Sequence, residues 1–334
     1  MRLTAEVVNL VISENTPNTF SARRTAQILK KKVVKLAKEG RLTTNFLKND
    51  DKDQWEWAYR IFSANTMLGD YSWWGWETRS GWAWQLANNR WFYPRWDGKH
   101  CKLLVLGEQG IGDEILFISC ARELAQQAEV HWEVDSRMIP ILQRSIPEVT
   151  WISRWKDDLI REPYQLSDHR GEYDAFIPAG NVPKLYRTSK HSFPRTTYLV
   201  PDQDRIHAWK KQISGVGFIN KAGFSLEKRA DVPGDHDLHH HSALYRGCKD
   251  FDDFVALVNA MDYINAVPSA VVHICGATGQ RCNVIKPERV LGAQNTILKY
   301  PYGVMGTRKM DWYGDHIAIF DSVHDYHSRA RAVA

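Results

Sequence analysis

The chain of 334 residues has no long apolar run, and this absence excludes one class of protein. A helix that spans a bilayer needs roughly 18 or more consecutive apolar residues, and no stretch approaches that length. The N-terminus also lacks the basic start, apolar block and small-residue cleavage site that mark a secretory signal peptide. We therefore expect a cytoplasmic protein that makes no membrane contact.

Cysteine is also scarce. The chain has five cysteines, an odd number, and none of them forms a Cys-x-x-Cys pair. The pattern therefore indicates neither a disulfide framework nor a redox dithiol, and we expect free thiols in a reducing compartment. Internal repeats and low-complexity tracts are absent as well.

Positive charge is present, but it is concentrated at one end. Residues 1–49 contain ten Lys and Arg against three Glu, whereas the whole chain has a net charge of +5. Residues 25–39 have the spacing of an amphipathic helix with a lysine-lined face. Such a helix can bind a polyanion such as DNA, or can be a solvated surface. Six Trp between Trp73 and Trp91 indicate that the next segment has its own aromatic core or contact surface.

From residue 102 onward, short apolar runs alternate with helical patterns. In the first unit we predict strands at 103–106, 130–134, 149–152 and 173–177, and helices at 114–128 and 138–145. After a polar, proline-containing stretch at 188–204, we predict strands at 216–219, 263–266 and 282–285, and helices at 251–260 and 270–276. Such alternation predicts parallel sheets that are covered by helices on both faces.

The length and the two alternating units suggest two domains after a helical extension. We predict an α/β fold with a helical N-terminal extension at 1–97, which holds the basic helix and the Trp-rich segment. A first Rossmann-like domain at 98–200 and a second one at 201–334 follow it.

A glycine-rich turn at 107–113 joins the first strand to its helix. Gly110 and Gly112 let the backbone approach a ligand closely, and the helix start that follows attracts an anion or a polar group. The spacing is neither the Gly-x-Gly-x-x-Gly fingerprint, which argues against a Rossmann oxidoreductase, nor a P-loop. Asp113 could accept a proton from an acceptor hydroxyl, or it could only cap the helix.

A second strand-to-helix junction carries Ser269, which we predict as a helix N-cap and as part of a diphosphate site. His273 lies one turn further on and can share its face, although a histidine on an apolar helix can equally be a core residue. Lys221, Lys228 and Arg229 follow the strand at 216–219, at the sheet edge where ligands bind. They could neutralise a diphosphate, or they could be surface charges only.

A histidine cluster follows. It consists of His236, His239, His240 and His241, beside Asp235 and Asp237. The cluster could hold a metal ion. Because no second group of ligands accompanies it at a defined spacing, we expect a solvated polar loop and no metal site.

Taken together, these motifs resemble a known family. The matching stretch is Trp96-Asp97-Gly98, an apolar strand and Gly107-Glu108-Gln109-Gly110-Ile111-Gly112-Asp113. It is similar to the glycosyltransferase domain that follows tetratricopeptide repeats in many bacterial proteins, which itself resembles the heptosyltransferases of the GT-B fold. Residues 67–77 resemble the end of the last repeat. Residues 269–277 resemble the family's donor motif Ser/Thr-x-x-x-His-x-x-Gly-Ala, and Asp311-Trp312-Tyr313 its C-terminal signature.

The resemblance, which covers about residues 61–320, implies a GT-B-like fold and a metal-independent glycosyltransferase. The nucleotide-sugar would be a substrate, so no cofactor is expected. By position, Asp113 matches the family's base. The predicted donor-binding residues are Gly110, Gly112, Lys221, Ser269 and His273. Pro268 stands where the family usually has Asp, which removes one polar contact and leaves the identity of the donor open.

The sequence leaves the acceptor open. One candidate is a hydroxymethylated base in DNA, which the basic N-terminal helix would help to bind and which must leave the base stack to react. The other candidates are a protein and a surface glycan. A binding module without activity, which holds a nucleotide or a partner in a decayed donor site, is the alternative from another class. The sequence indicates no oligomeric state.

Overall fold

The computed structural model describes residues 94–108, 110–157, 162–163, 172–221, 230–286 and 310–331. The predicted basic helix, the Trp-rich segment and the resemblance to a repeat all lie outside these residues, as do Gln109, Lys228 and Arg229. The boundaries predicted for the N-terminal extension therefore stay predictions.

Eleven strands occur in the described residues, numbered here in chain order. They are β1 (Lys102–Leu106), β2 (Glu129–Val134), β3 (Thr150–Ser153), β4 (Trp155–Asp157), β5 (Glu162–Pro163), β6 (Ala175–Pro178), β7 (Val216–Ile219), β8 (His236–Asp237), β9 (Tyr263–Ala266), β10 (Cys282–Ile285) and β11 (Ile317–Phe320). Two parallel sheets hold nine of them, in the orders β3-β2-β1-β6 and β11-β10-β9-β7-β8. The short strands β4 and β5 form an antiparallel pair.

Nine α-helices occur in the same residues. They are α1 (Ile111–Ile118), α2 (Ala121–Ala125), α3 (Ile139–Ser145), α4 (Pro183–Tyr186), α5 (Gln203–Lys210), α6 (Ala243–Gly247), α7 (Phe251–Ala260), α8 (Ala270–Thr278) and α9 (Val323–Arg331). Most of them follow a strand directly along the chain, which confirms the predicted α/β class.

The strand β1 shows why parallel strands form here. All four residues from Leu103 to Leu106 are fully buried. Because successive side chains of a strand point to opposite faces of the sheet, both faces of β1 must be covered. A continuous apolar run without alternation is the pattern expected of such a strand.

The predicted elements agree with the structure most closely in the second half of the chain, where β7, β9, β10 and α7 have the predicted bounds. The prediction of one helix at 114–128 was wrong in its bounds. The structure has two helices there, α1 and α2, which are separated at Ser119 and Cys120. There the backbone N–H groups bond to carbonyls only three residues back, and Cys120 has a non-helical ψ of 3°.

The polar stretch at 188–204 is more ordered than the predicted connector. Phe193, Tyr198 and Leu199 are buried, and the N–H groups of Tyr198 and Leu199 both donate to the carbonyl of Ala277. The helix α5, which was not predicted, begins directly after Asp202, whose carboxylate accepts from the first-turn N–H groups.

A bidentate ion pair links α3, which belongs to the first alternating unit, to α7, which belongs to the second. The Arg144 guanidinium on α3 donates to both carboxylate oxygens of Asp252 on α7, at 3.0 and 2.6 Å, and its Nε donates to the Val200 carbonyl at 2.8 Å. Asp252 is buried. Paired, planar contacts of this kind are stronger and more directional than single hydrogen bonds. Arg144 therefore holds both α7 and the connecting segment near Val200.

Gly276, within α8, provides a stability test. A Cβ at this position would overlap the ring of Tyr313, which is almost fully buried. We expect Gly276→Ala to lower the free energy of unfolding by about 1–3 kcal/mol, since overpacking forces neighbours to move. Denaturant unfolding measures the change. The control is Gly247→Ala, where a Cβ meets nothing within 4 Å. Equal stability of the two variants would contradict the packing described here.

Candidate functional site

The candidate site lies where the first turns of two helices meet. The helix α1 follows β1, and α8 follows β9, so each begins at the carboxyl edge of its own parallel sheet. A Cβ added at Gly112 would lie 3.2 Å from Cα of Ala270 and 2.9 Å from Cδ2 of His273. Only a residue without a side chain permits this approach. Two helix N-termini in contact place their positive ends together, which stabilises an anion at that point.

Asp113 lies on the first turn of α1 and is half-buried. Its Oδ2 accepts a long hydrogen bond of 3.4 Å from the N–H of Gly110. The carboxylate thus caps the helix, which is one of the two roles that the sequence left open for it. A carboxylate can accept about four hydrogen bonds, so this contact is compatible with proton transfer at the same group.

Ser269 occupies the N-cap position of α8 with an extended backbone, as predicted. Its hydroxyl makes no hydrogen bond to the first turn of its own helix, so the predicted position is confirmed but a side-chain cap is not observed. The Ser269 carbonyl instead accepts from the N–H of Val272 at 3.1 Å.

His273 is 5% exposed, and it makes a specific contact inside the protein. Its Nδ1 lies 2.9 Å from the hydroxyl of Tyr313, which is 1% exposed. The Cδ2 atom of the same ring faces Gly112. His273 is therefore both a buried, hydrogen-bonded residue and a part of the contact between α1 and α8.

The hydroxyl groups near His273 predict which of its ring nitrogens carries the proton. The Tyr198 hydroxyl donates to the Ile115 carbonyl of α1 at 2.8 Å, so it has no proton left for Tyr313. Because Tyr313 interacts with Tyr198, we predict that Tyr313 donates to Tyr198 and accepts from His273. We therefore predict that the neutral imidazole carries its proton on Nδ1.

Burial affects the protonation of Tyr198. It raises the pKa of the Tyr198 phenol, and the interaction with Tyr313 opposes that shift. Tyr198 therefore stays neutral and keeps its proton for the Ile115 carbonyl. Sequence analysis singled out Tyr313 only as part of a signature and missed Tyr198, because neither lies near His273 along the chain.

Buried carboxylates that sequence analysis also missed hold the turn before α1. Glu133 accepts from the N–H of Gly107 at 3.1 Å, and Glu108 accepts from the N–H of Gly180 at 2.7 Å. Both side chains are buried. The signal for Glu133 was present, since it is an acidic residue between the apolar Trp132 and Val134 of a predicted strand.

Glu114 and Arg154 form a buried ion pair beside the same turn, at 2.8 Å. Glu114 also accepts from the N–H of Asp135 at 3.1 Å. Burial raises the pKa of the Glu114 carboxyl to about 7, and the charge of Arg154 opposes this shift. These contacts connect α1 to the ends of β2 and β3.

Lys221 follows β7 and is half-buried. Its charge lowers the pKa of His239 and of His240. Lys228 and Arg229, which were grouped with it, lie outside the described residues.

Within the ranges that the structure describes, no group of three or more His, Cys, Asp or Glu side chains could hold a metal ion. No helix in those ranges has the length and apolar character needed to cross a bilayer.

Comparisons with known proteins find only distant similarity. No protein-family model matches the chain. Protein FlbA of Caulobacter vibrioides is 24% identical over 238 residues, and the match covers 55% of this chain and 40% of FlbA. The chain thus spans well under half the length of this curated relative.

Two solved structures are similar at a low level. The E. coli ADP-heptose LPS heptosyltransferase II has a TM-score of 0.44 and 14% identity, over 70% of this chain and 98% of that protein. A family 9 glycosyl transferase from Veillonella parvula has a TM-score of 0.43 and 11% identity, over 72% and 91%. Similarities of this size do not assign the chain to a family.

The hydrogen bonds of Tyr198 and Tyr313 predict which tautomer His273 adopts. Nitrogen-15 NMR should find neutral His273 protonated at Nδ1 in the wild type, and Tyr313→Phe should populate both tautomers because it removes the acceptor. The control is Tyr326→Phe, a buried tyrosine that instead accepts from Asn265 at 3.4 Å. A wild-type ring protonated at Nε2 alone would contradict the proposed order. The loss of one hydrogen bond should cost about 0.5–1.5 kcal/mol of stability in Tyr313→Phe.

Proposed function

We propose that the chain is a glycosyltransferase of the GT-B type, with two Rossmann-like domains that transfer a sugar from a nucleotide-sugar to an acceptor hydroxyl. The observation that supports this best is the contact between the first turns of α1 and α8. It joins Gly112, the residue before Asp113, to Ala270 and His273. The proposed base is therefore the chain neighbour of this contact, and the proposed anion-binding helix starts on its other side.

The proposed reaction is a direct displacement at the anomeric carbon. The acceptor oxygen attacks that carbon while its proton passes to Asp113. The bond from the carbon to the diphosphate oxygen breaks, and the diphosphate leaves with the electron pair. A placed base of this kind contributes about 10²–10⁴-fold in rate.

The leaving diphosphate needs positive charge, and the chain's own groups can supply it. The two helix starts contribute their dipole ends, and Lys221 contributes an ammonium group. With Nδ1 bonded to Tyr313, His273 can donate to a phosphate only through a protonated Nε2. In this scheme the donor is a substrate, and neither a metal nor a cofactor is needed.

Two buried hydrogen bonds at the start of the turn support the same proposal. Glu133 and Glu108 hold the turn through the N–H groups of Gly107 and Gly180. Groups that are fixed before the substrate arrives do not have to reorganise during the reaction, and this is the main source of electrostatic stabilisation in enzymes. The buried carboxylates would therefore act by positioning the turn.

An alternative function has one observation in its favour. Pro268, where the resembled family usually has Asp, removes a polar contact next to Ser269. The chain would then be a binding module that holds a nucleotide or a partner without transfer. The acceptor of the proposed enzyme is likewise a proposal: a hydroxymethylated DNA base, a protein or a surface glycan. The basic helix that favours DNA lies outside the described residues.

Replacement of the proposed base tests the mechanism. We expect Asp113→Asn to lower transfer or hydrolysis of a nucleotide-sugar by about 10²–10⁴-fold while donor binding persists. A screen of UDP-, GDP- and ADP-sugars by thermal shift identifies the donor to use. The control is Asp262→Asn, an exposed carboxylate just before β9. Unchanged turnover in Asp113→Asn would exclude Asp113 as the base, and donor binding without any transfer by the wild type would support the binding module.

The helix contact can be tested separately. Gly112→Ala places a methyl group against Ala270 and His273, whereas in Gly247→Ala, outside the candidate site, a Cβ meets nothing within 4 Å. We expect the first change to weaken donor binding about tenfold or more, equivalent to about 1.4 kcal/mol, and the second to leave it nearly unchanged. Calorimetric titration measures both affinities. Equal effects of the two changes would argue that the contact plays no part in donor binding.

A further inference from the structure

A layer of helices lies between the two sheets. The connections from β1 to β2 to β3 run in one direction across the first sheet, and those from β8 to β9 to β10 run in one direction across the second. Because such connections are right-handed, α1 and α3 lie on one face of their sheet, and α7 and α8 lie on one face of theirs. The helix α1 packs against α8, and α3 is bonded to α7. The two units therefore meet through the helices on these faces.

The two units share one hydrophobic core. A continuous cluster of buried apolar side chains includes residues of both sheets and of all four helices. Its members on the helices include Ile115 of α1, Leu142 of α3, Val258 of α7 and Ile274 of α8. Two domains of one chain are expected to move relative to each other unless their interface is large and hydrophobic. A shared core favours a single arrangement of the units, because separating them would expose apolar surface to water.

The segment at 188–204 that connects the units is bonded to a helix of each. The N–H groups of Tyr198 and Leu199 donate to the carbonyl of Ala277 on α8. On the other side, the N–H of Val200 donates to the hydroxyl of Ser145 on α3 at 2.8 Å. If the units separated, the connecting segment could not keep both sets of bonds. The exchange of these three N–H groups with solvent therefore reports whether the units stay together.

The ion pair of Arg144 and Asp252 crosses the same interface. The Asp252 side chain is 4% exposed, whereas that of Arg144 is 34% exposed. A buried carboxylate that loses its partner becomes an uncompensated charge, which is strongly unfavourable. A small separation of α3 from α7 would break the pair before water could replace Arg144, so the pair opposes opening. Arg144 also donates to the Val200 carbonyl, and it thereby joins both units to the connecting segment.

We infer that the two units are held together in the free protein, with α1 against α8 and α3 against α7, and that Arg144 is a positioning residue that maintains this arrangement. The arrangement itself depends on no ligand. Its consequence for binding rests on the proposed function: the nucleotide-sugar enters a groove that is already formed, without a closing movement of the units. A protein that is always in its binding-competent state binds with full affinity, whereas partial opening lowers the apparent affinity in proportion.

Hydrogen exchange, followed residue by residue with NMR, tests the inference on the full chain without any ligand. In the wild type we expect the N–H groups of Tyr198, Leu199 and Val200 to exchange as slowly as those of β1 and β9, because only unfolding of the whole unit releases them. Arg144→Gln leaves Asp252 without its partner. The three N–H groups should then exchange about tenfold or more faster relative to β1 and β9.

Two further variants separate opening from a general loss of stability. Arg144→Lys keeps the charge but loses the paired contact, so its exchange should lie between those of the wild type and Arg144→Gln. It carries the same comparison if Arg144→Gln does not fold. Lys99→Gln removes an exposed ion pair with Asp97 inside the first unit, and it should behave as the wild type. In calorimetric titration with ADP, UDP and GDP, Arg144→Gln should bind about tenfold more weakly any probe that the wild type binds.

The outcomes distinguish this inference from the proposed function. Fast exchange of the three N–H groups in the wild type would overturn it, and so would an equal increase at all positions in Arg144→Gln, since Arg144 would then only stabilise the fold. An increase confined to the connecting segment supports it, whether or not a nucleotide binds. If transfer depends on Asp113 while exchange and affinity in Arg144→Gln are unchanged, the proposed function stands and the inference is wrong. If the expected exchange is found but no sugar is transferred, the arrangement of the units stands without the enzyme.

Discussion

The contact between the first turns of α1 and α8 is the interaction on which the candidate site depends. Gly112 makes it possible, because a side chain at that position would displace Ala270 or His273. On the inside, Tyr198 bonds to the Ile115 carbonyl of α1 and Tyr313 bonds to His273 of α8. One small residue and two buried tyrosines thus hold the starts of the two helices in place.

The surroundings of this contact contain three buried glutamates. Glu108, Glu133 and Glu114 are buried, and each accepts from a backbone N–H group of another segment. Removing a charge from water costs free energy that only good hydrogen bonds offset. Such groups therefore specify one arrangement of the turn, and any rearrangement would leave a buried charge without its donors.

The sequence predicted the strands well and the helix ends less well. The bounds of β7, β9, β10 and α7 agree with the prediction, because apolar runs and amphipathic spacing are properties of neighbouring residues. The break between α1 and α2 was missed, since Ser119 and Cys120 carry no proline or glycine to mark it. The motif residues Ser269 and Gly112 were placed correctly at helix starts, but the glutamates that hold the turn were missed.

The sequence by itself determined the α/β class, the glycine turn and the helix starts, because each depends on local backbone preferences and on the period of apolar residues. Only the tertiary structure decided which of these features meet. Tyr198 contacts a carbonyl 83 positions earlier in the chain, and His273 contacts a tyrosine 40 positions later. The strands β7 and β8, which are separated by residues 220–235 in the chain, become neighbours only through their order in a sheet. Contacts of this kind depend on how two sheets and their helices pack, and no local pattern encodes that.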